Sequence, residues 1–252
     1  LGFSAAGAGR LYVWAIDNSG TVELALSRTA DLFPESALIS TTAEGAAGAA
    51  DSASVMYSTT ARSSIPTRLL GYVEITTGAT EGEWDNAPTA IQLMGAGVKR
   101  TGEIVQVQYT QTGAVNTGVT AIPSDDSIPE NDEGDEYMTL AIVPSSNINK
   151  LLIEAKAMLA HSSASTFITA ALFQDSTVNS LAATGEHIPA VVNNGLMLSL
   201  RHEMITGTSG STTFKIRAGG AAGATTTFNG ANAGRLLGGV MASSIRITEI
   251  MQ

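Results

Sequence analysis

Short stretches of alternating apolar and polar residues fill most of this chain, and clusters of Gly, Pro, Asn, Asp and Ser separate them. Leu11–Ile16 (LYVWAI) is followed by Asp17-Asn18-Ser19-Gly20 and then by Thr21–Leu26 (TVELAL), where alternate positions are apolar. That order predicts a hairpin closed by Asp/Asn/Gly turn chemistry. Further strands are predicted at Ser54–Tyr57, Arg68–Thr76 and Ala90–Met94. They continue at Glu103–Thr110, Val115–Ile122, Tyr137–Val143, Leu151–Leu159, Thr166–Phe173, Leu196–Ile205, Thr212–Arg217, Thr225–Phe228 and Ser244–Ile250. Strands at this spacing point to an all-β chain of sandwich or jelly-roll type rather than to βαβ units. Asn149–His161 (NKLLIEAKAMLAH) also fits a helical apolar stripe. Its Ile, Met and Leu alternate acceptably and its neighbours are all β, so a strand is expected.

Gly95-Ala96-Gly97 and Thr101-Gly102 flank the Lys99-Arg100 pair, and a domain boundary is expected there. The organisation predicted is two β-sandwich or jelly-roll-like domains. Residues 1–100 form an N-terminal β domain near the attachment or shaft, and residues 101–252 form a C-terminal jelly-roll head. Ala43–Ala50 (AEGAAGAA) has the composition of a flexible loop. Leu1–Arg10 lacks the charged start and long apolar core of a signal peptide, and the absence of an initial Met suggests processing or a fragment. No run approaches the roughly 20 apolar residues of a membrane-spanning helix.

Composition changes the picture most through a shortage of charge. Only 14% of the 252 residues are Asp, Glu, Lys or Arg, against about 25% in an ordinary soluble domain. Gly, Ala, Ser and Thr wet a surface weakly, so copies of the same chain are expected to cover much of it. A sticky, low-charge monomer is the alternative. The net charge of −10 is concentrated: Thr101–Asn149 holds eight acids and no Lys or Arg. No basic patch suited to phosphates appears, which argues against nucleic acid. With no cysteine, disulfides and thiolate metal sites are excluded.

Catalytic chemistry finds little support. The three histidines are His161, His187 and His202, and there is no G-x-S-x-G elbow. His202 and Glu203 are adjacent in an alternating strand and so point to opposite faces. The acidic run Asp125–Glu136 (DDSIPENDEGDE) holds seven carboxylates in 12 residues. Three readings of it stay open: a solvated loop, a contact with basic residues of a neighbouring chain, and a Ca²⁺ site. Its spacing departs from the EF-hand pattern. The basic residues available for such a contact are Arg201, Lys215, Arg217, Arg235 and Arg246. Gly219–Gly223 is a loop and not a phosphate cradle, because no Lys-Ser/Thr follows it. No catalytic, metal or cofactor-binding residue is nominated, and no cofactor is expected. Ser176–Asn194, Thr206–Ser211 and Gly219–Thr225 are expected as exposed loops. Ile188–Asn194 within the first could be a contact surface or a buried strand.

Two sets of motifs carry a family resemblance. The first comprises Leu11-Tyr12-Val13-Trp14, Thr21–Leu26, Tyr57–Arg62, Arg68–Tyr72, Gly82-Glu83-Trp84, Ala87-Pro88 and Ile91-Gln92-Leu93. The second comprises Ile122-Pro123-x-Asp125-Asp126-x-Ile128-Pro129, Glu133-Gly134-x-Glu136-Tyr137, Asn149–Glu154, Ala171–Asp175, Phe214–Gly219, Phe228-Asn229-Gly230 and Ser243–Ile250. Together they resemble fibre-like structural proteins of tailed bacteriophages. The resemblance implies a homotrimeric, non-enzymatic virion appendage, a tail fibre whose distal jelly roll touches a host-surface glycan or protein. Its partners would be itself and other virion proteins, with no nucleic acid and no membrane insertion. The alternative is an architectural virion part, such as a head fibre, decoration or adaptor protein, without a receptor. A polysaccharide depolymerase is a remote third reading, because few aromatics are present to build a sugar platform. Within the second motif set, Asp125 is expected to form a turn between the two Ile-Pro pairs.

Overall fold

The computed structural model describes residues 5–28, 30, 56–58, 65–80 and 86–252. The sequence-predicted loop Ala43–Ala50 and the motif residues Thr59–Arg62 and Gly82-Glu83-Trp84 lie outside them, as does the predicted strand at Ser54–Tyr57 except for Met56 and Tyr57. Two compact units are present, Leu1–Arg100 and Thr101–Gln252. Among the described residues the regular structure is antiparallel strand, apart from a short 3-10 turn.

In the first unit, β1 (Ala8–Asn18), β2 (Thr21–Ser27), β3 (Thr67–Thr76) and β4 (Ala90–Leu93) form one sheet in the order β2-β1-β3-β4. The predicted hairpin is present. Asn18 pairs with Thr21, leaving a two-residue loop of Ser19 and Gly20. Both have positive φ, 51° and 90°, the backbone twist that matches the twist of the flanking strands. Asp17 Oδ1 accepts from the Gly20 amide at 2.7 Å. One face of the sheet carries Trp14, Ile16, Ala25 and Leu69, which bury themselves with Met56. The Trp14 indole Nε1 donates to Ser27 Oγ over 2.7 Å. On the other face Leu11 and Ile75 are buried, whereas Val22 and Leu24 on β2 and Ile91 and Leu93 on β4 are exposed.

The second unit begins with β5 (Ile104–Thr112), β6 (Asn116–Gly118), β7 (Asp135–Ile142), β8 (Lys150–His161), β9 (Phe167–Gln174) and β10 (Ala182–His187). It continues with β11 (Leu196–Ile205), β12 (Thr212–Gly220), β13 (Thr226–Phe228), the short hairpin β14 (Gly230–Ala231) and β15 (Gly234–Arg235), and β16 (Ser243–Ile250). Eight long strands make two sheets. One runs β5-β16-β8 with β11 on the far side of β8, and the other runs β10-β9-β12-β7. Numbered among those eight alone, the orders are 1-8-3-6 and 2-7-4-5, with every pair antiparallel. That is the jelly roll.

Alternation explains the core. Leu151, Ile153, Ala155, Ala157 and Leu159 of β8 point inward, as do Ile168, Ala170 and Leu172 of β9, Leu198 and Leu200 of β11, Phe214 and Ile216 of β12, and Ile245 and Ile247 of β16. Lys150–His161 is therefore β: Leu151, Ile153, Ala155, Ala157 and Leu159 face the core, while Glu154 and Lys156 are exposed on the opposite face. Three expectations need correction. Gly219–Thr225 is not all exposed loop, since Gly219 and Gly220 are buried at the end of β12. Only Asn116–Gly118 of Val115–Ile122 is strand, since Ile122 packs against an outer face (below) instead of extending a ladder. Ser176–Asn194 is not all loop: β10 lies inside it, pairing with β9 from Ala182 opposite Leu172 to His187 opposite Phe167.

Candidate functional site

The acidic run lies in the connection from β6 to β7 and ends in the first two residues of β7, Asp135 and Glu136; the connection straps the outer face of the β10-β9-β12-β7 sheet. Ala171 and Phe173 alternate with the inward residues of β9, so they face away from the core, and Ile122 covers them. The Ile122 amide donates to Gly220 O at 3.1 Å, and the Gly134 amide to Ala121 O at 3.0 Å. Gly134 has φ +62°, and a Cβ there would lie 2.8 Å from Ile122 Cδ1, so a side chain would meet both strain and a clash.

The carboxylates in this strap are used locally. Asp125 Oδ1 accepts from the Ser127 amide at 2.9 Å and from its hydroxyl. These bonds hold the Asp125 carboxyl below its ordinary value, and Asp125 forms the turn expected of it. Glu133 Oε2 accepts from the Glu130 amide at 2.9 Å, and Asp135 accepts from the amide and hydroxyl of Thr120 at 2.9 and 3.0 Å. Arg217 anchors the end of the run, donating from Nε to Glu133 O at 2.9 Å and from Nη2 to Gly134 O at 2.7 Å. Glu136 sits 3.4 Å from Lys215 Nζ and 3.9 Å from Arg217 Nη1. Two of the five basic residues singled out in the sequence therefore meet the run, and they come from the same chain. Among the described residues, no three His, Asp or Glu converge on one point.

The histidines are scattered. His187 is exposed at the end of β10, and His202 faces its β8 neighbour Ile153 while Glu203 points the other way to Lys150 and Arg201. His161 is fully buried, with Nδ1 3.1 Å from Thr226 Oγ1. Burial pushes its imidazole below the ordinary 6.5. Ile188 is in the core, whereas Val191 and Val192 are exposed, and the Asn193 amide donates to His161 O at 2.8 Å, so the segment holding them is a loop pinned at both ends.

A buried carboxylate escaped sequence reading. Glu249, on the last strand, has no exposed surface. It accepts from Asn149 Nδ2 at 2.6 Å, Gln106 Nε2 at 2.6 Å, Ser145 Oγ at 2.7 Å and the Ser145 amide at 2.9 Å. Burial pushes its pKa up, but the donors from Asn149, Gln106 and Ser145 outweigh that and hold the carboxyl below its ordinary 4.5. Its spacing from those donors, 100 residues or more along the chain, gives no local motif to find.

No strap crosses the outer face of the β5-β16-β8-β11 sheet among the described residues. Arg246 pairs in register with Tyr109 on one side and Glu154 on the other, and Glu154 with Arg201. One row of this face therefore reads Tyr-Arg-Glu-Arg across four strands. Ser244 and Lys156 lie in the next row. Tyr109, Glu154, Lys156, Ser244 and Arg246 surround a hollow of about 320 Å³.

No family model matches this chain, and no curated protein matches it. Among solved structures it is similar to a particle of infectious bursal disease virus, Gx strain, at 10% identity and TM-score 0.33, covering 100% of this chain and 68% of that one. It is also similar to the VP2 subviral particle of the same virus, at 10% identity and TM-score 0.32, covering 99% of this chain and 58% of the other. The T=1 particles derived from that virus give 11% identity, TM-score 0.28 and coverage of 100% and 72%. The similarity is loose, and the jelly roll of this chain rests on its own strand order.

Proposed function

We propose that this protein is a non-enzymatic structural component of a virus particle that assembles with copies of itself and presents its jelly roll outward. The observation that carries this reading is a jelly roll with one outer face strapped and the other open, in a chain where only 14% of residues are charged. A surface so poor in charge is kept from non-specific association by being covered, and a repeated assembly covers it with the same surface each time. Jelly rolls recur in capsid and lectin domains, and the two motif sets resemble phage fibre-like proteins. A homotrimeric tail fibre that contacts the host surface is the specific form proposed. Many copies meeting one cell would turn weak single contacts into firm attachment.

An architectural part without a receptor is favoured by one observation. Val22, Leu24, Ile91 and Leu93 are 55–73% exposed on one face of the first sheet. Two exposed apolar pairs, one on each edge strand of that sheet, favour cover by a protein neighbour.

Light scattering on the purified chain tests the assembly. A concentration-independent mass of three times 25.8 kDa supports the trimer. A monomer at micromolar concentration overturns self-assembly.

A further inference from the structure

We infer that the hollow on the open β5-β16-β8-β11 face is a binding subsite for a carboxylate-bearing saccharide. Three features carry this. First, charge is present there but unused. Arg246 and Glu154 are directly opposite in register, a placement in which opposite charges ordinarily meet across strands. Yet Glu154, Lys156 and Arg246 form no ion pair within 4.0 Å among the described residues. The nearby Arg201 and Lys150 instead pair with Glu203, at 2.7 and 3.8 Å. The three side chains line the hollow instead of closing it.

Second, the donor and acceptor types are mixed in a way that suits a sugar acid. Arg246 offers a planar fork for a carboxylate, with Lys156 adding a second positive charge. Glu154 accepts from sugar hydroxyls, and Ser244 can donate or accept. Third, Tyr109 is 56% exposed, and its hydroxyl is fixed on Gln111 Oε1 at 3.0 Å, leaving a ring beside the charges for a sugar face to lie against. Four adjacent strands at ~4.8 Å spacing make the Tyr109–Arg246–Glu154–Arg201 row about 14 Å long, so it offers more than one sugar residue a place.

This inference rests on the reading that the jelly roll faces a host surface, but its test is separate from the assembly test. Calorimetric titration of the full chain would use oligogalacturonate, a neutral maltooligosaccharide of equal length, and free glucuronate. Oligogalacturonate is expected to bind, the neutral oligomer to fail at the same concentrations, and R246A to weaken binding at least tenfold. R246K is expected to recover part of the loss, since it keeps charge but not the fork. Raising salt from 50 to 500 mM should weaken binding severalfold. Binding of free glucuronate as tight as the oligomer would confine the subsite to one sugar acid. No oligogalacturonate binding, or equal binding by R246A, overturns the proposal. Equal binding of the neutral oligomer overturns the role of the carboxylate. The mass of the same sample reports self-assembly independently, so either idea can fail alone.

Discussion

Asn149 donates its side-chain amide to the Glu249 carboxylate over 2.6 Å, tying the turn before β8 to the last strand of the sheet. Gln106 and Ser145 complete the clasp, so one buried charge holds three separate chain segments. Replacing Glu249 by Gln keeps the shape but turns one acceptor into a donor that faces donors. A loss of about 1–3 kcal/mol is expected, measured by urea unfolding at pH 7. The pH dependence has a definite sign. The folded-state pKa is depressed, so this stabilisation is fully present above the unfolded value near 4.5 and is lost as pH falls through the lower folded value. In the Gln variant that acid-side slope should be shallower. An unchanged slope would remove Glu249 from the account.

His161 makes a prediction in a higher pH window. Buried against Thr226, it is native in its neutral form, whereas the unfolded chain takes up a proton near the ordinary 6.5. Stability should therefore fall as pH drops below about 6.5 and continue to fall until the depressed folded value is passed. Thermal melting of the wild type between pH 7.5 and 5.5 should show a larger decrease than His161→Gln over the same range. Equal decreases would assign the effect to other groups.

Gly220 closes one side of that histidine. A Cβ built there would lie 2.4 Å from both Cε1 and Nε2 of the ring. Gly220→Ala should cost about 1–3 kcal/mol through overpacking and lower the melting temperature by several degrees. A melting curve that superimposes on the wild type would show that the ring can shift freely.

Arg217 is the anchor of the acidic strap. Arg217→Ala removes two donors from the carbonyls of Glu133 and Gly134. Hydrogen exchange across residues 119–134 should then quicken while β8 and β9 stay protected. Arg217→Lys should behave more like the Ala variant than the wild type, because one ammonium cannot reproduce the fork. Uniform quickening over the whole unit would mean that the strap and the core open together.

What could be read from the sequence follows the strength of the local pattern. In Leu196–Ile205, Leu196, Leu198 and Leu200 alternate with Met197, Ser199 and Arg201, and the strand ends coincide with the expected ones. β10 was hidden because Ala182-Ala183-Thr184-Gly185 carries no large apolar residue to mark a face. Its strand exists because β9 offers an edge, which is a tertiary fact. The acidic run was visible as charge, but its anchorage was not, since Arg217 reaches it from 83 residues away. The open-face row was equally hidden: Tyr109, Glu154, Arg201 and Arg246 are unremarkable singly and become neighbours only once four strands are in register.

The position of β16 between β5 and β8 has a consequence for biogenesis. Ser244 pairs with Lys156 and Ile250 with Lys150, so the edge of β8 stays bare until some ninety further residues have been translated. At ~5–20 residues per second, that interval is on the order of 5–20 s. During it an apolar strand edge stands ready to pair with a neighbouring nascent chain. Closure of the jelly roll is therefore a late event, completed after residue 250 has left the ribosome, and factors that shield nascent chains should raise the yield of this protein more than factors that act on finished ones.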